Sequence, residues 1–122
     1  MKIEITPGVL TEYRNENGPV KITIAENAIY FSLACSKLLA MQPGYAFVLE
    51  FEDGNLYYKD ATDGFTVSPA GKHHVMKAYV KDIAKYISQF LKEKSTTYFF
   101  SVGELKMGRR MLTMISGKKR KA

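Results

Sequence analysis

Hydrophobic and polar positions alternate every two residues in several short segments of this chain and follow a helical spacing in two others. Residues 20–24 and 28–31 are rich in β-branched and aromatic side chains, and the polar stretch between them predicts a β-hairpin. A second hairpin is predicted at Asp53-Gly54, because both residues accept the positive φ of a two-residue type I′ turn. This turn fixes the register: Glu52 faces Asn55, Phe51 faces Leu56, Glu50 faces Tyr57 and Leu49 faces Tyr58.

That register gives the second hairpin two different faces. We assign to the core the more apolar face, which consists of Phe47, Leu49, Phe51, Leu56 and Tyr58. The opposite face is mixed in polarity and consists of Val48, Glu50, Tyr57 and Lys59. A short apolar stretch at residues 64–67, between two turn clusters, predicts an edge strand.

Two amphipathic helices are predicted. Ser32 offers an oxygen to the free amides of a first helix, whose apolar residues Cys35, Leu38 and Leu39 recur at helical spacing until Gln42-Pro43-Gly44. Residues 80–91 form the second. Residues 73–79 either extend that helix or form a strand leading into it, and we favour the strand. Residues 96–102 and 110–115 predict two further strands, and residues 11–19 predict a surface loop after a short first strand.

The predicted elements repeat in order. Strand, helix, strand, turn, strand occurs over residues 28–60 and again over about 73–115, although the residue identities hardly match. The chain has 122 residues, of which 46% are apolar, enough for one core. We therefore expect an α+β fold in which residues 1–115 form a single compact domain of two β-α-β-β-like units. Residues 116–122 are expected to be a basic, disordered tail.

The net charge of +6 is concentrated at the C-terminal end. Residues 1–100 contain eleven basic and eleven acidic residues, whereas residues 101–122 contain seven basic residues and one acidic residue. The basic ones are Lys106, Arg109, Arg110, Lys118, Lys119, Arg120 and Lys121. Such asymmetry is typical of proteins that contact phosphates or another acidic surface. The alternative is that these residues form a solubilising end without a partner.

The sequence lacks the motifs of common enzymes. It contains no phosphate-binding glycine motif and no nucleophile elbow, so we expect no enzymatic activity and no cofactor. His73 and His74 are adjacent and point apart, so we expect no metal site and read them as surface histidines. Cys35 lies on an apolar helix stripe, which predicts a buried, inert thiol. No apolar run approaches the roughly twenty residues of a membrane span. A cytoplasmic protein without a membrane partner is expected.

Aromatic residues are frequent on the predicted strands. They are Tyr30, Phe31, Tyr57, Tyr58, Tyr98, Phe99 and Phe100. Rings on an exposed sheet face near basic side chains stack on unpaired bases, whereas strand aromatics in general belong to the core. Tyr57 projects from the more polar face of the second hairpin and is the candidate stacking residue.

Residues 20–60 resemble the SpoVT/AbrB family of bacterial transition-state regulators and antitoxins. The resemblance is carried by Ala28-Ile29-Tyr30-Phe31 at the second strand, Leu38-Leu39-Ala40-Met41 at the helix end, Gln42-Pro43-Gly44-Tyr45 at the turn and residues 47–59 as the hairpin. The order and lengths agree, but Phe31 and Tyr45 replace the usual proline and aspartate. The resemblance implies a swapped-hairpin unit, and members of the family bind DNA through basic residues on a dimer of interleaved hairpins. Lys21 matches such a basic position.

The sequence therefore predicts a non-enzymatic nucleic-acid-binding protein, of the kind found among bacterial transcriptional regulators. The expected phosphate contacts are Lys21, Lys106, Arg109, Arg110 and the cluster Lys118, Lys119, Arg120 and Lys121. Phosphate contacts of this kind supply affinity without base readout. The alternative is a protein-interaction module, a homodimer for example, in which a sheet edge or the swapped-hairpin surface pairs with itself or with a partner.

Overall fold

A computed structural model describes residues 2–16, 18–70 and 75–115 of the chain. The helices in these residues are α1 (Pro7–Glu16), α2 (Leu33–Leu38) and α3 (Ile83–Ile87). The strands are β1 (Lys21–Ile24), β2 (Ala28–Phe31), β3 (Ala46–Glu52), β4 (Asn55–Asp60), β5 (Phe65–Thr66), β6 (Ser68–Ala70), β7 (Val75–Tyr79), β8 (Tyr98–Lys106) and β9 (Arg109–Met114). The domain combines helices and strands, as expected, but it is mostly sheet and its helices are short.

The strands form one antiparallel sheet that curls into a nearly closed barrel. Its strand order is β5-β3-β4-β9-β8-β1-β2-β7-β6, so the two edge strands are neighbours in the sequence. Only Val67 separates them, and it bonds back to the chain before β3: its amide donates to the Tyr45 carbonyl, and its carbonyl accepts from the Gly44 amide. This short segment therefore joins the two ends of the sheet.

The pairing pattern has an approximate two-fold symmetry. Units β2-α2-β3-β4 and β7-α3-β8-β9 follow each other along the chain, and β2 pairs with β7 while β4 pairs with β9. Both hairpins turn on a residue pair with positive φ, Asp53-Gly54 and Met107-Gly108. Adding 54 to the residue numbers of the first turn gives those of the second. The same addition relates Tyr57 to Met111, and these two residues are also paired with each other across β4 and β9. The expected repeat of elements is therefore present as a repeat of pairing.

Both predicted hairpins are confirmed. The β3–β4 register is the one that the Asp53-Gly54 turn dictates, with Glu50 opposite Tyr57 and Phe51 opposite Leu56. Phe47, Leu56 and Tyr58 are buried, and the rings of Phe31, Phe47 and Tyr58 lie with centroids 5.2 to 6.0 Å apart inside the barrel. Leu49 is partly buried and packs against this core, as assigned. One assignment to the core needs correction: Phe51 is 37% exposed and packs against Phe90.

The predicted N-terminal strand and loop are wrong. Residues 7–16 form α1, because the Thr6 hydroxyl accepts a hydrogen bond from the Val9 amide and caps the helix, and Pro7 occupies its first position. The Thr6-Pro7 pair was the available signal. The Gly18-Pro19 pair does mark the boundary before β1.

The other two helices begin or end differently from the prediction. Ser32 caps α2 as expected, since its hydroxyl accepts from the Cys35 amide. Helix α2 ends before Pro43 is reached. Ala40 has a φ of 52°, and the Met41 amide donates to the Ser36 carbonyl, so the chain reverses direction at this point. The second helix is reduced to α3, because Val80 and Asp82 are held by Asn27 in the β1–β2 turn and Asp82 has a φ of 63°.

Candidate nucleic-acid interface

Strands β7, β2, β1 and β8 are neighbours, and one set of their side chains points away from the barrel interior. Inward positions alternate with these outward ones, as in Ile22 and Ile24 of β1, which are fully buried. We call the outward set the β1 face: Lys21, Thr23, Tyr30, Lys77, Phe99 and Ser101.

The β1 face combines two cations with two aromatic rings. Thr23 lies between Tyr30 and Phe99 in the pairing register, and Tyr30 lies opposite Lys77 on the next strand. The Lys21 ammonium lies 5.6 Å from the centre of the Phe99 ring, a cation–π distance. Tyr30 is 37% exposed and Phe99 is partly exposed, so both rings reach the surface.

This face also lacks opposing charge. Strands β1, β2 and β7 contain no aspartate or glutamate. Among the residues that the structure describes, neither Lys21 nor Lys77 forms an ion pair. The two ammonium groups therefore remain able to meet an anionic ligand.

The fold also positions the start of the basic C-terminal segment. The Ile115 amide donates a hydrogen bond of 2.9 Å to the Phe99 carbonyl, so the described chain ends beside the β1 face. Lys118, Lys119, Arg120 and Lys121, which the sequence assigned to phosphate binding, lie outside the described residues.

Arg109 lies on a different surface, the outer face of β3, β4 and β9. Its guanidinium bonds to Glu50 at 3.0 Å and to Glu52 at 2.6 Å, and it lies 3.7 Å above the ring of Tyr57. The hydrogen bonds from Arg109 and Lys59 lower the pKa of Glu50, and those to Glu52 and Glu50 raise the pKa of Arg109. The charge of Arg109 is neutralised locally, and its guanidinium covers the ring predicted to stack on bases.

Arg110 and Lys106 do not join Lys21 either. Arg110 points to the other side of β9, where its Nη1 donates to the Gly103 carbonyl in the bulge of β8. Lys106 is exposed at the β8–β9 turn, opposite Arg109. The four predicted cations in the described residues therefore lie in three places: Lys106 beside Arg109, Arg110 on the other side of β9, and Lys21 on the β1 face.

The sequence interpretation named Tyr30 and Phe99 only among the strand aromatics, and it did not select Lys77. The available signal for Lys21 and Tyr30 was the strand alternation, which places them on the face opposite the buried Ile22 and Phe31. No local signal brings Lys77 beside Tyr30, because the two residues are joined only by the pairing of β2 with β7.

Within residues 2–16, 18–70 and 75–115, no three His, Cys, Asp or Glu side chains are arranged to hold a metal ion. His73 and His74 lie outside these residues. Cys35 is buried as predicted, and burial raises the pKa of its thiol to about 12. None of the helices in the described part of the chain is long and apolar enough to cross a membrane.

Comparison with protein-family models, curated proteins and solved structures gave no match to this chain. The function is therefore argued from the geometry of the chain itself.

Proposed function

We propose that this protein binds nucleic acid without catalysis, through the β1 face, and prefers single strands to duplex. The observation that carries the proposal is the pairing of Lys21 with Phe99 and of Lys77 with Tyr30 on one surface, three of whose four strands contain no carboxylate. Proteins that bind single strands without sequence preference combine basic side chains with exposed rings in this way.

Each component of the face has a separate role. Tyr30 and Phe99 stack on unpaired bases, an interaction worth about 1 to 3 kcal/mol per base. Lys21 and Lys77 contact phosphates, and the basic segment after Ile115 extends the phosphate contacts along the strand. Base edges are not read by these groups, so binding depends little on sequence.

The resemblance of residues 20–60 to SpoVT/AbrB regulators is in keeping with this proposal. Two β-α-β-β units in one chain would take the place of the two subunits of such a dimer, and the protein would act as a transcriptional regulator. The DNA contacts of that family would then have moved from the hairpins to the β1 face and the C-terminal segment.

Fluorescence anisotropy with a labelled single strand of about 12 nucleotides tests the proposal. With Lys21, Lys77 and the four C-terminal cations on phosphates, log affinity falls with log salt at a slope of about −4. Replacing Lys21 and Lys77 by alanine reduces the slope by about 1.4, and deleting residues 116–122 reduces it by about 3. Tyr30→Ala weakens binding at least fivefold.

Arg109→Ala is the matched control, because its charge is already occupied by Glu50 and Glu52. We expect it to leave the affinity unchanged. Equal loss in the Arg109 and Lys21/Lys77 variants would show that only net charge matters and would reject the β1 face. Tighter binding to the duplex of the same sequence would reject the preference for single strands.

A second candidate function is protein binding through the N-terminal segment. Ile3, Ile5, Val9, Leu10 and Tyr13 are between 45% and 74% exposed, which leaves large apolar side chains in water. Pairing through a sheet edge is less favoured, because β5 and β6 are two and three residues long. Light scattering on the whole chain and on an Ile3→Ser/Ile5→Ser variant distinguishes the cases: a dimer that the substitutions dissociate favours protein binding.

A further inference from the structure

A small polar cavity lies between the end of α2, the end of β4 and the β8–β9 turn. Its volume is about 100 Å³, and its apolar wall is formed by Leu38, Leu39 and Leu105. Leu38, one of the apolar residues at helical spacing in α2, is 49% exposed and lines this cavity.

Tyr58 contributes a buried hydroxyl that is poorly satisfied. The residue is only 2% exposed and lines the cavity. Within the described residues its Oη forms no hydrogen bond of good geometry, although the Tyr45 hydroxyl lies close enough to add to the effect of burial in raising the pKa of Tyr58. A buried hydroxyl without a good hydrogen bond costs about 1 to 3 kcal/mol, so native structures rarely keep one without a reason. Burial raises the pKa of Tyr58, so its hydroxyl is protonated at neutral pH and can donate.

Two opposite charges lie beside this hydroxyl. Arg110 lines the cavity, and its bond to the Gly103 carbonyl uses only Nη1, which leaves Nη2 and Nε as donors. Asp60 also lines it, and the Tyr45 hydroxyl donates to its Oδ1, which leaves Oδ2 as an acceptor. Arg110 and Asp60 form no ion pair with each other. The cavity therefore presents unused donors and an unused acceptor.

The other half of the barrel shows that the fold does not require these polar groups. The same difference of 54 residue numbers makes Leu112 the equivalent of Tyr58, Met114 the equivalent of Asp60 and Leu56 the equivalent of Arg110. Leu56, Leu112 and Met114 line a corresponding cavity at the β3–β4 turn, where all three positions are apolar and the charged lining residues, Lys92 and Glu93, come from the segment after α3. The strand positions that carry Tyr58, Asp60 and Arg110 are thus polar in only one of the two cavities.

We infer that this cavity binds a small amino carboxylate, an α-amino acid the size of glycine. The carboxylate accepts from Arg110 and from the Tyr58 hydroxyl, and the ammonium group donates to Asp60. The leucine wall contacts the aliphatic part. This site is separate from the β1 face and does not depend on the nucleic-acid proposal.

Charge and size select this class of ligand. A simple anion such as phosphate would meet Arg110 but would also meet the Asp60 carboxylate at close range, which is unfavourable. A simple amine would leave Arg110 and Tyr58 without an acceptor. A cavity of about 150 Å³ holds the six carbons of benzene, so about 100 Å³ fits four or five non-hydrogen atoms and excludes a nucleobase.

Titration of the full chain with glycine, L-alanine, acetate, methylammonium and phosphate, followed by amide chemical shifts and calorimetry, tests the inference. We expect glycine to bind. L-alanine, which has one non-hydrogen atom more than the cavity fits, and the three simpler ions are expected to bind at least tenfold more weakly. No shift at Tyr45, Asp60 or Gly108 with glycine up to about 10 mM overturns the inference, because a millimolar complex is detected at that concentration. Equal binding of acetate or phosphate overturns the choice of a zwitterion.

Three variants locate the binding. Tyr58→Phe keeps the packed ring and removes one hydrogen bond, so binding weakens about fivefold. Arg110→Leu introduces the residue type found at the equivalent position and weakens binding at least tenfold. Lys106→Leu removes an exposed cation from the same hairpin and leaves binding unchanged. Full affinity in Tyr58→Phe, which keeps the core intact, overturns the inference even where Arg110→Leu fails to fold.

Discussion

The guanidinium of Arg109 lies flat over the ring of Tyr57 at 3.7 Å while its nitrogens bond to Glu50 and Glu52. Three strands meet in this arrangement, because Glu50 and Glu52 belong to β3, Tyr57 to β4 and Arg109 to β9. The arrangement ties the β3–β4 hairpin to the β8–β9 hairpin across the pseudo-two-fold axis. A cation that net charge alone assigned to phosphate binding thus has a structural role.

Replacing Arg109 by methionine is therefore expected to lower the melting temperature. The variant loses two charge-assisted hydrogen bonds and the stacking on Tyr57, and it leaves Glu50 and Glu52 as neighbouring like charges. Thermal unfolding followed by circular dichroism measures the effect. Lys106→Met, an exposed cation opposite Arg109 in β8, is the control and is expected to unfold at the wild-type temperature. Equal loss in both variants would contradict this role.

Stability should also depend on acid through Glu50. Its pKa is lowered in the folded protein from an ordinary value of 4.5, so the folded state binds protons less readily than the unfolded chain. The corresponding stabilisation is complete above about pH 4.5 and is lost as the pH falls through the lowered pKa. Urea unfolding between about pH 7 and pH 3 measures the loss, which should be smaller in Arg109→Met. Identical pH profiles for the two proteins would refute the assignment.

Tyr58 and Tyr98 are both buried, but removing their hydroxyls should have opposite effects. Tyr58→Phe removes a buried hydroxyl that forms no hydrogen bond of good geometry within the described residues, and it raises the free energy of unfolding by about 1 kcal/mol. The Tyr98 hydroxyl donates to the Glu93 carbonyl and accepts from the Ser95 amide, so Tyr98→Phe lowers it by about 1 to 2 kcal/mol. Urea unfolding of both variants compares them. Destabilisation by Tyr58→Phe would show that this hydroxyl is well hydrogen-bonded within the protein.

Gly64 allows β5 to approach β3 closely. A Cβ added there would lie 2.2 Å from the Phe47 carbonyl oxygen, a backbone atom that cannot move aside. Gly64→Ala is expected to lower the free energy of unfolding by about 1 to 3 kcal/mol. Gly8→Ala in α1, whose new Cβ meets nothing nearer than 3.8 Å, leaves stability unchanged or raises it by up to about 1 kcal/mol. Equal stability of the two variants, measured by thermal unfolding, would argue against the close approach.

The Cys35 thiol should not react with thiol reagents while the protein is folded. It is fully buried, and burial raises the pKa of its thiol to about 12, so almost no thiolate exists at neutral pH. A disulfide reagent at about pH 8 should therefore react with it only at the rate of unfolding, and immediately in denaturant. The Cys35→Ser variant, which has no thiol, is the control for reaction of the reagent with anything other than Cys35. Rapid reaction without denaturant would contradict the buried position.

Local signals predicted the local elements well. Asp53-Gly54 fixed the turn, and through it the whole β3–β4 register, because a two-residue turn leaves the strands no other alignment. Ser32 marked the start of α2 in the same way. The N-terminal helix was missed because its cap lies at Thr6-Pro7, outside any clear apolar stripe.

The residues of the candidate sites are brought together by pairing between distant strands, which local signals do not predict. The charge count placed the phosphate contacts at the C-terminal end, yet Arg109 is engaged by Glu50 and Glu52, which lie 57 to 59 positions earlier in the chain. Tyr30 and Lys77 became neighbours only through the β2–β7 register. The opposed pair Asp60 and Arg110 likewise reached one cavity through the pairing of β4 with β9.

By itself the sequence determined the hairpins, the capped start of α2, the strand alternation and the buried thiol, since turns, caps and periodicity act between residues a few positions apart. The tertiary structure decided that the sheet curls into a nearly closed barrel and which charges face which. It also decided where a poorly satisfied buried hydroxyl lies. Those outcomes depend on pairing between strands distant in the chain, and the register of such pairing is set by the packing of the common core.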